Sequence, residues 1–147
     1  MRRTTRRKIL AYIGGGIASF GALYFSHGRV PVEETTEVTL KASQFEPRNI
    51  HVDQGATVEW KNNQSFTHVL VPNGVRYPNG DTGDWRLRES GDMGVEVGGN
   101  SSLEYTFEES GVYDLFCNIH GNPDMSGMSM RIAVGDAEMQ KPLGSWF

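Results

Sequence analysis

Cys117, His120, Met125 and Met128 fall within one short stretch, Cys117-Asn118-Ile119-His120-Gly121-Asn122-Pro123-Asp124-Met125-Ser126-Gly127-Met128. A further histidine, His68, stands far upstream in Ser65-Phe66-Thr67-His68-Val69-Leu70-Val71. One thiolate, two imidazoles and a nearby thioether make the donor set of a mononuclear blue-copper centre. Soft sulfur donors suit Cu(I), imidazole nitrogens also accept Cu(II), and a weak axial thioether lets both oxidation states share one geometry. Cys117 is the only cysteine of the chain, which rules out an internal disulfide and a paired-cysteine zinc knuckle.

Such donors are useless unless a fold brings them together, and the period of the sequence shows which fold. From Glu37 onward apolar and polar residues alternate in short runs broken by turn residues, the pattern of strands rather than helices. Val38–Ala42, Asn49–Val52, Thr57–Lys61, Phe66–Val71, Leu103–Phe107, Gly111–Phe116 and Ser129–Val134 read as strands. Many short strands with regular turns predict an antiparallel β-sandwich. The strand ending at Phe116 delivers Cys117, the following loop holds His120, and Ser129–Val134 leads away. His68 must arrive from a remote strand.

Pro72 to Asn100 is a polar insert with Asn73-Gly74, Asn79-Gly80, Asp81, Gly83, Asp84, Gly91 and Gly98-Gly99. Insertions of this length inside a small domain are functional or mobile unless something pins them. Trp85, between Asp84 and Arg86, either packs the insert down or faces a partner.

Residues 37–134 resemble a cupredoxin of the plastocyanin, halocyanin and amicyanin type. Two parts carry the likeness: Phe45-x-Pro47-x-x-Ile50-x-Val52-x-x-Gly55-x-x-Val58-x-Trp60-x-Asn62, and Tyr113-x-x-x-Cys117-x-x-His120. The resemblance implies a Greek-key β-sandwich, one type 1 copper ion, and a role as a small electron carrier. Carried onto the matching positions, it makes His68, Cys117 and His120 the equatorial ligands. Val69 stands where many members place an asparagine, which removes one hydrogen bond near Cys117; Asn118 is the candidate to replace it.

Two methionines compete for the axial place. Met125 follows His120 by five residues, the plastocyanin spacing, and Met128 follows by eight, as in relatives with a longer His-Gly-x-Pro loop. Strand phase favours Met128. Met128, Met130, Ile132 and Val134 form the inward apolar row, leaving Ser129 and Arg131 to point out.

Charge is distributed unevenly. Arg2, Arg3, Arg6, Arg7, Lys8 and Arg29 lead the chain, whereas all 18 acidic residues follow residue 30. Residues 30–147 therefore hold 8 basic and 18 acidic residues, a net charge of −10 within a whole-chain value of −4. A polyanion would be repelled, which argues against nucleic acid; the balance suits a basic protein partner, such as a cytochrome or a membrane oxidoreductase complex, or a high-salt habitat in which acidity serves solubility. Thr5-Arg6-Arg7-Lys8-Ile9-Leu10 resembles a twin-arginine export signal, and Ile9–Phe25 is an apolar run near the lower limit of about 17 residues for spanning a bilayer. Residues 1–29 are read as a signal or membrane anchor and 30–36 as a linker. Residues 37–135 are the domain, with its 72–100 insert, and 136–147 a tail. The basic start stays in the cytoplasm, so the domain belongs in the periplasm or on the outer face of the membrane.

Electron transfer competes with two other classes. A copper enzyme needs further metal-binding histidines, and only His27 and His51 remain beside His68 and His120. A four-donor site has no vacant position for a small-molecule substrate. A copper storage or delivery protein would show an exposed methionine-rich tract, of which Met125-Ser-Gly-Met128-Ser-Met130 is a faint version.

Overall fold

The structure, a computed structural model, describes residues 35–87 and 94–144. The basic and apolar leading segment lies outside the described residues, as do the aromatic pair Trp146 and Phe147. Ten strands follow in order: β1 (Thr35–Leu40), β2 (Phe45–Glu46), β3 (Asn49–Val52), β4 (Thr57–Asn62), β5 (His68–Arg76), β6 (Thr82–Gly83), β7 (Val95–Val97), β8 (Ser101–Thr106), β9 (Gly111–Gly121) and β10 (Gly127–Val134). No helix interrupts them among the described residues.

The all-β expectation therefore holds. One sheet has the order β2-β1-β4-β8, and the other β3-β10-β9-β5-β6 with β7 also paired to β5. The pairing is not purely antiparallel, as the sequence pattern had suggested. β1 lies parallel to β4 and β3 lies parallel to β10. Alternation of side chains is the same in both ladder types, so sequence period cannot tell them apart.

The two sheets share one core. Val38, Leu40, Val58 and Trp60 of the first sheet meet Leu70, Leu115, Met130 and Ile132 of the second, all within 1% of full burial. A buried indole needs an acceptor for its N–H. Trp60 Nε1 finds the Met130 sulfur at 3.2 Å, which ties one sheet to the other.

The insert is far from structureless. β5 runs on into it as far as Arg76 and folds back through β6, while β7 returns along β5. Trp85 packs down: it is 8% exposed, donates its indole N–H to the Asp114 carbonyl at 3.1 Å, and meets Tyr105, Phe107 and Tyr113 at ring separations of 5.2–5.5 Å. Four interlocked rings far exceed the burial of one residue, and they explain how a polar insert is held.

The outer face of the second sheet is covered as well. The chain after Val134 runs back over β10 and β3, where Asn49 exchanges two hydrogen bonds with the backbone of Leu143, at 3.0 and 2.8 Å. Beneath it Arg131 grips Asp114 with two hydrogen bonds of 2.7 and 3.0 Å.

Candidate metal centre

Register decides which side chains meet. β5 and β9 pair antiparallel with Leu70 opposite Cys117. Two residues before Leu70 and on the same face, His68 is aimed at the thiol, and its Nδ1 lies 3.7 Å from Cys117 Sγ. Both are fully buried.

His120 comes from the same strand as Cys117, by a detour. On the β9–β10 ladder Phe116 pairs with Ser129, and the next pair is Gly121 with Gly127. Residues 117–120 therefore arch out opposite Met128 alone. Sequence reasoning placed Cys117 and His120 at the start of a loop. The structure instead carries β9 through to Gly121, with an irregularity that no local propensity announces.

Two glycines permit the tight closure of that arch. A Cβ on Gly121 would overlap the Met128 carbonyl, and Gly127 has φ 74°, a left-handed conformation that favours glycine. The turn between them is self-contained. Asn122 N–H donates to the Ser126 carbonyl at 3.1 Å, and Ser126 donates its amide and hydroxyl to Asp124 Oδ1 at 2.9 and 2.6 Å. Those two donors hold the Asp124 carboxyl below the usual carboxylate range.

One donor atom each from His68, Cys117 and His120 lies within 4.8 Å of the others, the sole such cluster of His, Cys, Asp or Glu among the described residues. The imidazoles sit 5.7 Å apart, centroid to centroid. Burial, and then the neighbouring His120, push the His68 pKa below its ordinary value of 6.5. A neutral ring with a free lone pair is the form a metal needs. Soft thiol, paired imidazoles and short mutual distances fit a single copper ion and leave no room for the hydrated oxygen shell of Mg²⁺ or Ca²⁺.

The methionines separate clearly. Met128 is fully buried, as are Met130, Ile132 and Val134, so the inward row predicted for this strand is the one observed. Met125 is half-buried, with φ 70°. Ser129 and Arg131 do lie on the opposite face, but they are not the exposed residues expected. Ser129 is 1% exposed beneath Arg48, whose guanidinium bonds its hydroxyl at 3.0 Å, and Arg131 is half-buried against Asp114. The covering tail and Arg48 come from distant sequence, which strand phase cannot foresee.

Two residues of the site's support were missed in the sequence. Gln64 Oε1 lies 3.2 Å from His68 Nε2 and thereby orients the ring so that Nδ1 faces the thiol. Asn62, 1% exposed, donates to the carbonyls of Phe66, Val97 and Gly98 at 2.7–3.1 Å and accepts the Gln64 amide at 3.0 Å. That one amide ties together the loop that delivers His68. Its signal was available: Asn62 closes the inward row Val58-Trp60-Asn62, and an inward polar residue at a strand end must be bonded. Asn118, considered as a replacement for the missing asparagine at position 69, is exposed. His51 bonds the Gly135 carbonyl at 2.9 Å, a structural role.

A two-sheet β-fold holding a buried Cys-His pair and a second, exposed histidine defines a cupredoxin. Residues 22–135 match the model of the copper binding proteins of the plastocyanin/azurin family, and the chain belongs to that family. Plastocyanin of Scenedesmus fuscus is 31% identical over 97 residues, which cover 62% of this chain and 95% of that protein. Chloroplastic plastocyanin of Fritillaria agrestis is 31% identical over 84 residues, 56% of this chain; the chain spans about half of that relative's length, 49%. Among solved structures, an amicyanin variant in its Cu(I) form aligns at 21% identity with a TM-score of 0.48, covering 68% of this chain and 81% of that one.

Proposed function

We propose that the protein is a blue-copper electron carrier, with His68 Nδ1, Cys117 Sγ and a ring nitrogen of His120 as equatorial ligands and the Met128 thioether as the axial one. The observation that carries this reading is the 4.8 Å convergence of three donor atoms around the chain's single thiol. Bound copper would supply a one-electron couple between Cu(I) and Cu(II). The chain supplies a preformed, largely buried donor set that need not rearrange between the two states.

His120 is the side chain through which a partner can reach the site, since His68 and Cys117 are sealed. Around it lie the two large apolar residues most open to solvent among those described, Phe66 at 44% and Ile119 at 52% exposure. Phe66 stands edge-on to His120, with ring centroids 6.4 Å apart. An apolar rim about an exposed imidazole suits brief, dry contact with another redox protein. The net charge of −10 on residues 30–147 suits a basic partner, such as a cytochrome, and long-range steering toward it.

Residues 1–29, as an export signal or anchor, place the domain outside the cytoplasm, in the periplasm or on the outer membrane face, with residues 30–36 as its tether. Storage or delivery of copper is the weaker reading, because two of the three methionines in the 125–130 tract are buried. No catalytic residue is assigned, and His51 is occupied structurally.

Stopped-flow oxidation by a basic cytochrome tests the carrier reading. The bimolecular rate should fall roughly tenfold or more as ionic strength rises from about 0.01 to 0.1 M, where the Debye length shrinks from about 30 to 10 Å. Asn122→Glu, beside His120, should change the rate further and leave the copper spectrum intact. A salt-independent rate indifferent to Asn122→Glu would contradict both steering and the His120 exit.

A further inference from the structure

The β5–β9 ladder slips once. Pro72 pairs with Leu115 and Val75 with Tyr113, so β5 spends three steps where β9 spends two. Bulges of this kind re-aim a side chain, and the residue re-aimed here is Asn73. Its amide nitrogen donates to the Pro123 carbonyl at 2.8 Å and meets the Met125 sulfur at 3.3 Å. The beginning of the insert is thereby bonded to the ligand turn, across 50 residues of sequence.

The Met125 backbone is held too. Its amide donates to the Asn122 carbonyl at 2.8 Å. Its own carbonyl accepts from Ser129 Oγ at 2.7 Å and from Arg48 Nη2 at 3.3 Å. Its φ of 70° is one that a non-glycine side chain keeps only when its surroundings enforce it.

This clamp has a chemical consequence, because methionine is flexible and its thioether is a soft donor. Met125 and Met128 lie three residues apart on one turn, and a single thioether is needed. We propose that Asn73 is a positioning residue that fixes the ligand turn and holds the Met125 thioether away from the metal, so that Met128 alone serves as the axial donor. The second half of that statement rests on the ligand assignment proposed above. The first half does not. Selection between two thioethers thus lies with an amide on the insert rather than with the ligands themselves.

The test uses the full chain, without and with copper. Without metal, Asn73→Ala and the near-isosteric Asn73→Asp both lose the donor. Backbone amide exchange at Asn122 and Met125 should then quicken about fivefold or more, the worth of one net hydrogen bond, while exchange at Leu115 and Ile132 stays unchanged. With copper, Asn73→Ala should shift the reduction potential and the sulfur-to-copper absorption. Adding Met125→Leu, which removes the competing thioether, should return both to their original values. Unchanged exchange at the turn would overturn the clamp. A shift that persists in Asn73→Ala/Met125→Leu would overturn the exclusion of Met125, because the effect would not pass through its sulfur. A wild type that shows no blue absorption would refute the ligand assignment, and the metal-free exchange would still decide whether Asn73 holds the turn.

Discussion

His68 and His120 bring the same ring to the same cluster from opposite circumstances. His68 is sealed, packed against Phe66 at 5.3 Å, oriented by Gln64 and delivered by a loop that Asn62 holds with four hydrogen bonds. His120 is exposed, on an arch of β9 closed by two glycines and an exposed turn. The difference fits the proposed division of labour: one histidine is built into the core as a fixed post, and the other is at the surface, where a partner could touch it. A carrier needs both. On the proposed reading, rigidity on the buried side would keep the geometry constant between oxidation states, and exposure on the other side would shorten the path for an electron.

The sharpest way to break this comparison is to remove each ring in turn. His120→Gly should open a hole to solvent that added imidazole can fill, restoring the visible absorption of the copper-loaded protein. His68→Gly leaves a closed cavity beneath Phe66. Its recovery should need at least about tenfold more imidazole, the equivalent of about 1.4 kcal/mol. Spectroscopic titration decides it, and equal recovery would mean the two sites are equally accessible.

Next in size is the support of the buried side. Asn62→Ala strands three carbonyls and the Gln64 amide, and should cost about 3 kcal/mol of stability by denaturant unfolding. The exposed turn should tolerate Asn122→Ala with a loss of about 0.5 kcal/mol or less, as is usual at the surface. Comparable losses at the two positions would contradict the assignment of rigidity to one side.

The smallest effect is one of pH. Burial lowers the pKa of His68 in the folded state from its ordinary 6.5. Between that folded value and 6.5 the unfolded chain binds a proton that the folded chain does not, so metal-free stability should decline as pH falls below about 6.5. Replacing His68 by Asn should flatten that part of the pH–stability curve. A stability that rises on acidification through the same window would reverse the sign of the shift.

How much of this was legible in the chain differs by the range of the interaction involved. The three clustered donors could be read only as a set, from Cys117-x-x-His120 followed by methionines, an upstream His68 on a strand, and the family resemblance that joins them. Met128 could be preferred by strand phase, since alternation is local. The arch at residues 117–120, the parallel pairings of β1 with β4 and β3 with β10, and the burial of Ser129 beneath Arg48 could not. The two parallel pairings and the Arg48–Ser129 contact depend on partners 22 to 82 residues away, and the arch on a slip between two strands of one hairpin; a period of two carries no register for any of them. Gln64 sits in an irregular loop, so no repeat pattern points its side chain at His68.

Copper titration of the full chain, followed by visible and paramagnetic resonance spectroscopy beside a Cys117→Ser variant, tests the central claim most directly. One copper should bind per chain, and the Cu(II) protein should show an intense sulfur-to-copper charge-transfer band. The narrow copper hyperfine splitting of a thiolate-bound site should accompany it, and both signals should be lost in Cys117→Ser. A copper-loaded wild type without that band, or a Cys117→Ser variant that keeps it, would contradict the assignment of Cys117 as a ligand and with it the blue-copper centre.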